Sequence, residues 1–574
     1  MNEAAILHRP YSEYAHHLPD GRVVLRLRTA RGDFFACRLC YGDRASRQNP
    51  IPRQTLAMPL LCGDEQYDYY ELVFKPPYPR LCYVFVLEAE GRTHYYYRDR
   101  LCKELPTDRS DDYQLAFVHR ADALQVPAWA ADAVVYNVLL DSFALCPAQA
   151  LKREFNGGVS KCKRGGTLAA LLHKLPYLQD LGINCLYLNP IFAAGEYHKY
   201  DTMDYRQIDP CFGTLEEFQM LVKQCHACGI RVVLDGVFNH CGRYFFAFQK
   251  LLEQGEGSPY AQWFYEVSYP LHYPDTWEEL PAYACFGYER HMPKLDTSNP
   301  EVLAYLLEVC RYWLLDCDID GWRLDVADEV NDDFWRAFRK AAKEVKPDCL
   351  LIGEIWGNAE HWLCGEQFDS SMNYDFRKAC ADFFAFGKTD ASAFDGAVTR
   401  MRMRYALPMA YCQLNLLDSH DVSRFLSLCA HNEAAYQLAV LYQMTGMGMP
   451  SITYGDEQGM AGNDENEYRA PMQWENNPAL YAFYKRAIAL RKSEPCLCRG
   501  SYHTLKADAG STLYVFARTY AGVRICVMLN AGSCAETAEI LPHQALLWQQ
   551  GLQGKVLAAK GFVVVKESAH VCND

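Results

Sequence analysis

Between residues 126 and 495 one pattern recurs eight times: a short apolar run of strand-forming residues, followed by a stretch with apolar side chains at three-and-four spacing. The apolar runs are AVVYNVLL (133–140), NCLYLNPIF (184–192), IRVVLDGVF (230–238), DGWRLDVA (320–327), LLIGEIW (350–356), SMNYDF (371–376), QLNLLDSH (413–420) and PSITYGDE (450–457). Between them, stretches such as TLAALLHKLPYLQDLG (167–182), LEEFQMLVKQCHACG (215–229) and PEVLAYLLEVCRYWLLDC (300–317) have helical periodicity. Eight apolar strands alternating with helices predict a (β/α)8 TIM barrel over 126–495, with reactive groups where each strand runs into its following loop. One connection breaks the rhythm. Residues 241–298 are rich in Tyr, Phe, Trp and Pro and too long for an ordinary loop, so they predict an excursion after strand 3, over the barrel mouth.

The flanks read differently. Residues 1–125 hold short alternating segments such as VVLRLRTA (23–30) and YYELVFK (69–75), which predict an N-terminal β-sandwich; residues 496–574 return to short β segments and predict a C-terminal β-sandwich. A chain of 574 residues is too long for one ordinary core, in keeping with this multidomain reading.

Composition excludes several classes of partner. A formal net charge of -14 argues against nucleic acid, whose partners concentrate Lys and Arg on one face. No apolar run is long enough to span a bilayer, so no membrane partner is expected. The opening MNEAAILHRPYSEYAHHL lacks a basic start and an apolar middle, and the 25 cysteines are odd in number and scattered; reduced thiols in a cytoplasmic protein are expected. Cys37 with Cys40 and Cys225 with Cys228 have CxxC spacing but no matching second pair, and read as packing residues.

Ionisable residues gather at the strand ends. Asp235, with Asn239 and His240 beyond it, closes the third run; Arg323 and Asp325 sit in the fourth; Glu354 ends the fifth; His420 and Asp421 end the seventh. Each alone reads as a buried ion pair or a cap. Stability gives no reason to gather them at one rim, whereas barrel enzymes work there. Residues two apart on a strand share a face, so Arg323 can pair with Asp325 and hold it ionised, leaving a second carboxyl to keep its proton as an acid. No HxH or HExxH pair stands at a strand end, so metal hydrolysis ranks below carboxylate chemistry and no metal is expected in the site.

The stretches DGVFNH (235–240), GWRLDVADE (321–329), GEIW (353–356) and LLDSHDVSRF (416–425) resemble the four signature regions of the α-amylase family of glycoside hydrolases. MPKLD (292–296) and the N-terminal segments resemble its neopullulanase, cyclomaltodextrinase and maltogenic amylase branch, in which the first domain is a starch-binding-type module. The resemblance covers almost the whole chain and is weakest in the last 75 or so residues. It implies that Asp325 is the nucleophile, Glu354 the general acid and base, and Asp421 a third carboxylate on the sugar's 2- and 3-hydroxyls. It makes Arg323 the residue that orients Asp325, places His240 and His420 on hydroxyls, stacks Tyr200 on the same glucose, and counts His198 of the same segment among the substrate-binding residues. Trp356 would line the sites beyond the scissile bond, Asp464 and Arg469 the distal glucose, and Asp235 and Asn239 would support.

The implied activity is retaining hydrolysis of α-1,4 linkages, with α-1,6 cleavage left open, in cyclodextrins, maltodextrins and pullulan, with transglycosylation alongside. An oligo-1,6-glucosidase-like enzyme should lack the N-terminal module and MPKL, and a non-catalytic glucan-binding protein should have lost a carboxylate; neither description fits. The branch also implies a homodimer through the N-terminal module. Many members bind calcium after the first barrel strand, but here DSFALCPAQALKREFNGGVSKCKRGGTLAA puts Lys, Arg, Ala and Thr167 where acids are expected. Calcium takes six to eight oxygens, so no cofactor is expected.

Overall fold

The computed structural model describes residues 1–89, 91–146, 152–155 and 158–568. Eight parallel strands form the centre: β1 (Val135–Val138), β2 (Cys185–Leu188), β3 (Arg231–Gly236), β4 (Gly321–Leu324), β5 (Leu350–Gly353), β6 (Ser370–Ser371), β7 (Leu414–Leu416) and β8 (Met449–Thr453). Neighbours in sequence pair in parallel, β8 pairs with β1, and a parallel bridge between Met372 and Leu414 joins β6 to β7 and closes the barrel. Closure removes the open edges a parallel sheet would otherwise expose. Every residue of β1, β2, β4 and β5 is buried, as expected of strands covered by helices outside and filled by side chains inside.

Two local readings change. Of SMNYDF only Ser371 is strand, together with Ser370 just before it: the Asn373 side chain accepts the Phe376 N–H and starts a helix, Tyr374–Cys380, so the rest of the apparent strand is a cap and a first turn. TLAALLHKLPYLQDLG forms two helices, Leu168–Leu172 and Leu175–Leu181. Pro176 has no N–H to donate, so the chain restarts with it in a new first turn.

In the N-terminal domain, a four-stranded sheet containing Val23–Ala30 and Tyr67–Phe74 faces a second antiparallel sheet built on Ala36–Asp43 and Leu81–Ala89. Val23, Leu25 and Leu27 point into the core between the sheets, with Leu39, Phe85 and Leu87. Cys37 joins that core while Cys40 joins a separate cluster with Val84 and Val86, so the pair faces opposite ways on one strand. The outer face of Val23–Ala30 docks on the barrel: buried Arg26 ion-pairs with Glu71 and donates 3.0 Å to the Met403 carbonyl.

The C-terminal strands form one continuous antiparallel sheet in which the long strand Val556–Ser568 pairs with three others. Alternation divides its residues: Tyr514, Phe516, Val527 and Phe562 pack with the barrel core, while Val515, Cys526, Met528 and Val563 form a second cluster. The excursion 241–298 carries one α-helix, Phe246–Gln254, and returns to the barrel beside β3, where Leu295 N–H donates 3.0 Å to the Asn239 carbonyl.

Candidate active site

The barrel rim sets the spacing of the reactive groups. Asp235 on β3 lies opposite Arg323 on β4 in the strand register. Asp325 follows β4 directly, its N–H bonded to the Gly236 carbonyl at 3.0 Å; Glu354 follows β5 directly, its N–H bonded to the Leu324 carbonyl at 2.9 Å. Backbone pairing therefore places two carboxyls on neighbouring strand ends before any side chain is considered. Arg323, fully buried, binds them together: Nη1 meets Asp325 Oδ1 at 2.7 Å and Asp235 Oδ1 at 2.9 Å, and Nη2 lies 2.8 Å from Glu354 Oε1. Glu354 also accepts the Val326 N–H at 3.0 Å and the Trp356 indole N–H at 3.2 Å. Val326 has φ 46, a left-handed conformation that costs a β-branched residue on the order of 1–3 kcal/mol and persists because both neighbours are held.

The expectation that Arg323 simply holds Asp325 ionised needs correction. One guanidinium serves three carboxyls. Burial pushes the Asp325 carboxyl well up, Arg323 pulls against it, and the charges of Glu354 and Asp235 push the same way as burial. Burial also pushes Asp235 up, against Arg323 and the Tyr187 hydroxyl. A single cation among three buried acids leaves the cluster short of positive charge, so the three carboxyls compete for one counter-ion. Asp421 is different: burial pushes it up, but His420, Arg323 and Arg469 together hold it well below the usual carboxylate range. Its oxygens lie 2.9 Å from His420 Nε2 and 2.9 Å from Arg469 Nη2.

These groups open on a cleft of about 580 Å³ lined by His198, Tyr200, His240, Asp325, Glu354, Trp356, Asp421 and Arg469. Tyr200 stacks on His420, and its hydroxyl lies 2.6 Å from His420 Nε2 and donates 3.1 Å to Asp235. Burial pushes His198 down to about 4 and His240 down to about 3, so both are neutral near pH 7. His240 Nε2 is buried without a protein partner. An orphaned ring nitrogen in a cleft wall is matched by a ligand hydroxyl. Asp235 and Asn239 stand behind the wall, Asn239 bonding Glu329 at 3.2 Å and accepting from Lys294. His420 is also buried, reaching the cleft through Asp421 and Tyr200.

Asp464 does not line the cleft. Its carboxylate accepts the Asn466 and Glu467 N–H groups as the cap of a short helix, and the next residue, Glu465, faces the cleft. A one-residue ambiguity in a loop has no periodicity to resolve it. Residue patterns also missed Asn189, 3.0 Å from His420 Nδ1, although it directly follows β2 and the strand-end rule would have found it. Tyr374, which sequence spacing does not mark, stacks on Trp356 at 4.0 Å and 10°, and Phe286 and Met292 of the aromatic-rich excursion complete the wall. A second cavity, about 360 Å³, lies between the N-terminal domain and the barrel beside His16, His17 and Tyr405, and its lining contains none of these carboxylates.

After β1, the described residues offer calcium little. Both oxygens of buried Asp141 accept backbone N–H groups, from Lys163, Arg164 and Gly165, each at 3.0 Å, and Thr167 caps a helix. Residues 147–151 and 156–157 of the same loop lie outside the described part.

Residues 138–478 match the family model for the α-amylase catalytic domain, and residues 1–119 the model for the α-amylase N-terminal Ig-like domain. The chain is 41% identical to neopullulanase 2 of Thermoactinomyces vulgaris over 92% of this chain and 90% of that protein. It is 36% identical to the intracellular maltogenic amylase of Bacillus subtilis over 93% of this chain and 92% of that one. A solved cyclomaltodextrinase structure superposes with a TM-score of 0.91 at 35% identity, covering 99% of this chain and all of that one.

Proposed function

The chain belongs to the α-amylase family of glycoside hydrolases, and from that premise we propose that it is a retaining α-glucan hydrolase acting on cyclodextrins, maltodextrins and pullulan. The observation that carries the mechanism is the shared seat of Asp325 and Glu354 on one guanidinium. It favours the roughly 5 to 5.5 Å carboxyl separation of retaining enzymes over the roughly 6.5 to 9.5 Å that leaves room for an inverting water.

Asp325 attacks the anomeric carbon while Glu354 gives its proton to the leaving glycosidic oxygen, and a covalent glucosyl-enzyme forms. Glu354, now a base, takes a proton from water, which displaces Asp325 and releases an α-configured sugar. A glucan hydroxyl in place of water gives transglycosylation. Asp421, ionised and fixed by Arg469 and His420, accepts from the 2- and 3-hydroxyls of the bound glucose. Neutral His198 and His240 bond sugar hydroxyls without adding charge beside the developing oxocarbenium ion. Trp356, about half exposed and braced by Tyr374, offers a stacking face beyond the scissile bond. Asp325→Asn should abolish hydrolysis and keep ligand binding; unchanged turnover would refute the assignment.

The same reading includes a homodimer through the N-terminal domain, a cytoplasmic site of action and no calcium requirement. No helix among the described residues is long and apolar enough to cross a membrane, and one relative is named intracellular. Sedimentation tests the dimer. Initial rates on β-cyclodextrin against soluble starch at equal glucose content test the specificity: preference for the ring supports a narrowed cleft, and preference for starch refutes it.

A further inference from the structure

Outside the cleft, the fold gathers two thiols and a carboxylate that are far apart in sequence. Cys162 Sγ, Cys211 Sγ and an Asp209 oxygen all lie within 4.8 Å of one another, and all three residues are buried. Ser160, also buried, donates to both Asp209 oxygens at 2.8 and 2.7 Å, and its Oγ lies 3.6 Å from Cys211 Sγ. We propose that Cys162, Asp209 and Cys211 form a binding site for a thiophilic divalent cation such as zinc, with Ser160 or a water as the fourth ligand.

Ligand chemistry selects the metal. Two thiolates and one carboxylate suit zinc or cobalt and offer too few oxygens for calcium or magnesium. A tetrahedral shell with metal–sulfur bonds of about 2.3 Å needs a contraction of at most roughly 1 Å. The neighbouring cation fits too. Lys199 Nζ, fully buried, lies 2.9 Å from Asp209 Oδ2 and donates 2.7 Å to the Lys161 carbonyl and 3.1 Å to Ser160. Both thiol protons leave to solvent on binding, so a divalent ion with two thiolates and Asp209 carries one negative charge, which the Lys199 ammonium cancels. The buried site thus ends neutral, as the cost of burying charge demands.

The site would staple two segments of the cleft wall. Cys162 follows the strand Gly158–Lys161, and Asp209 and Cys211 follow the strand Thr202–Ile208. Lys199, which bonds both segments, has φ 68 and stands between His198 and Tyr200 in the cleft. The ion would therefore brace the cleft without touching substrate.

Cobalt(II) titration of the reduced, chelator-stripped full-length protein tests this. One equivalent per chain should bring up the visible bands of tetrahedral cobalt with thiolate charge transfer, zinc should bleach them, and zinc should raise the melting temperature. The bands should vanish in the Cys162→Ala/Cys211→Ala double variant and persist in Cys364→Ala, whose cysteine is exposed. No bands at one equivalent, or unchanged bands in the double variant, would overturn the proposal. Should the double variant fail to fold, zinc-edge X-ray absorption on the wild-type protein decides: two sulfur neighbours support the site, and none or four refute it.

Discussion

Arg323→Lys keeps the charge at the centre of the rim and removes only the fork. In the native site two nitrogens divide three carboxyls between them, Nη1 holding Asp325 and Asp235 and Nη2 holding Glu354. A lysine has one compact nitrogen on a shorter reach, so it cannot seat Asp325 and Glu354 together. At least one charged contact is lost, about 1.5–3 kcal/mol. Loss of one preorganised electrostatic contact at a reacting centre costs about 2.7–4 kcal/mol of barrier, a fall of roughly 10²–10³ in kcat. KM should move much less, because Arg323 stands behind the carboxyls and does not line the cleft. Steady-state kinetics on β-cyclodextrin, with a melting curve to show that the variant is folded, gives both numbers. A folded variant with kcat within threefold of wild type would refute the claim that the fork sets the catalytic spacing. An equal loss in KM and none in kcat would refute it as well.

Three further outcomes follow from the same geometry. His240→Ala removes a neutral cleft imidazole whose Nε2 awaits a hydroxyl, so KM should rise about tenfold, the worth of one hydrogen bond of about 1–1.5 kcal/mol; unchanged KM would remove His240 from the substrate contacts. Burial lowers His8 to about 4, His16 to about 3 and His240 to about 3. The unfolded chain therefore binds more protons below about pH 6.5, and stability present above that pH should fall by about 1.4 kcal/mol per unit for each such histidine as pH drops toward 4. Melting temperatures that stay flat from pH 7 to 4.5 would contradict this. Calcium added to chelator-stripped protein should leave the melting temperature unchanged, since calcium takes six to eight oxygens and the segment after β1 has Lys, Arg and Ala where acids are expected; a rise of several degrees would show a calcium site in the loop after β1.

Much of this protein is legible along the chain because two of its regularities are local. Apolar runs eight times over, with helices between, specify a closed parallel barrel, and a barrel presents its strand ends on one face; Asp235, Asp325, Glu354 and Asp421 could be picked out by position alone. Where the local signal was ambiguous the reading slipped: SMNYDF has the composition of a strand, yet the Asn373 cap turns its second half into a helix. Other features depend on contacts between residues far apart, which no spacing encodes. The sharing of Arg323 among three acids, the brace of Tyr374 under Trp356, the turn of Glu465 rather than Asp464 into the cleft, and the meeting of Cys162 with Cys211 arise only when distant segments pack. Sequence period determines which face a side chain occupies, and tertiary packing determines which partner it meets there. Protonation, hydrogen bonding and ligand capture depend on the partner.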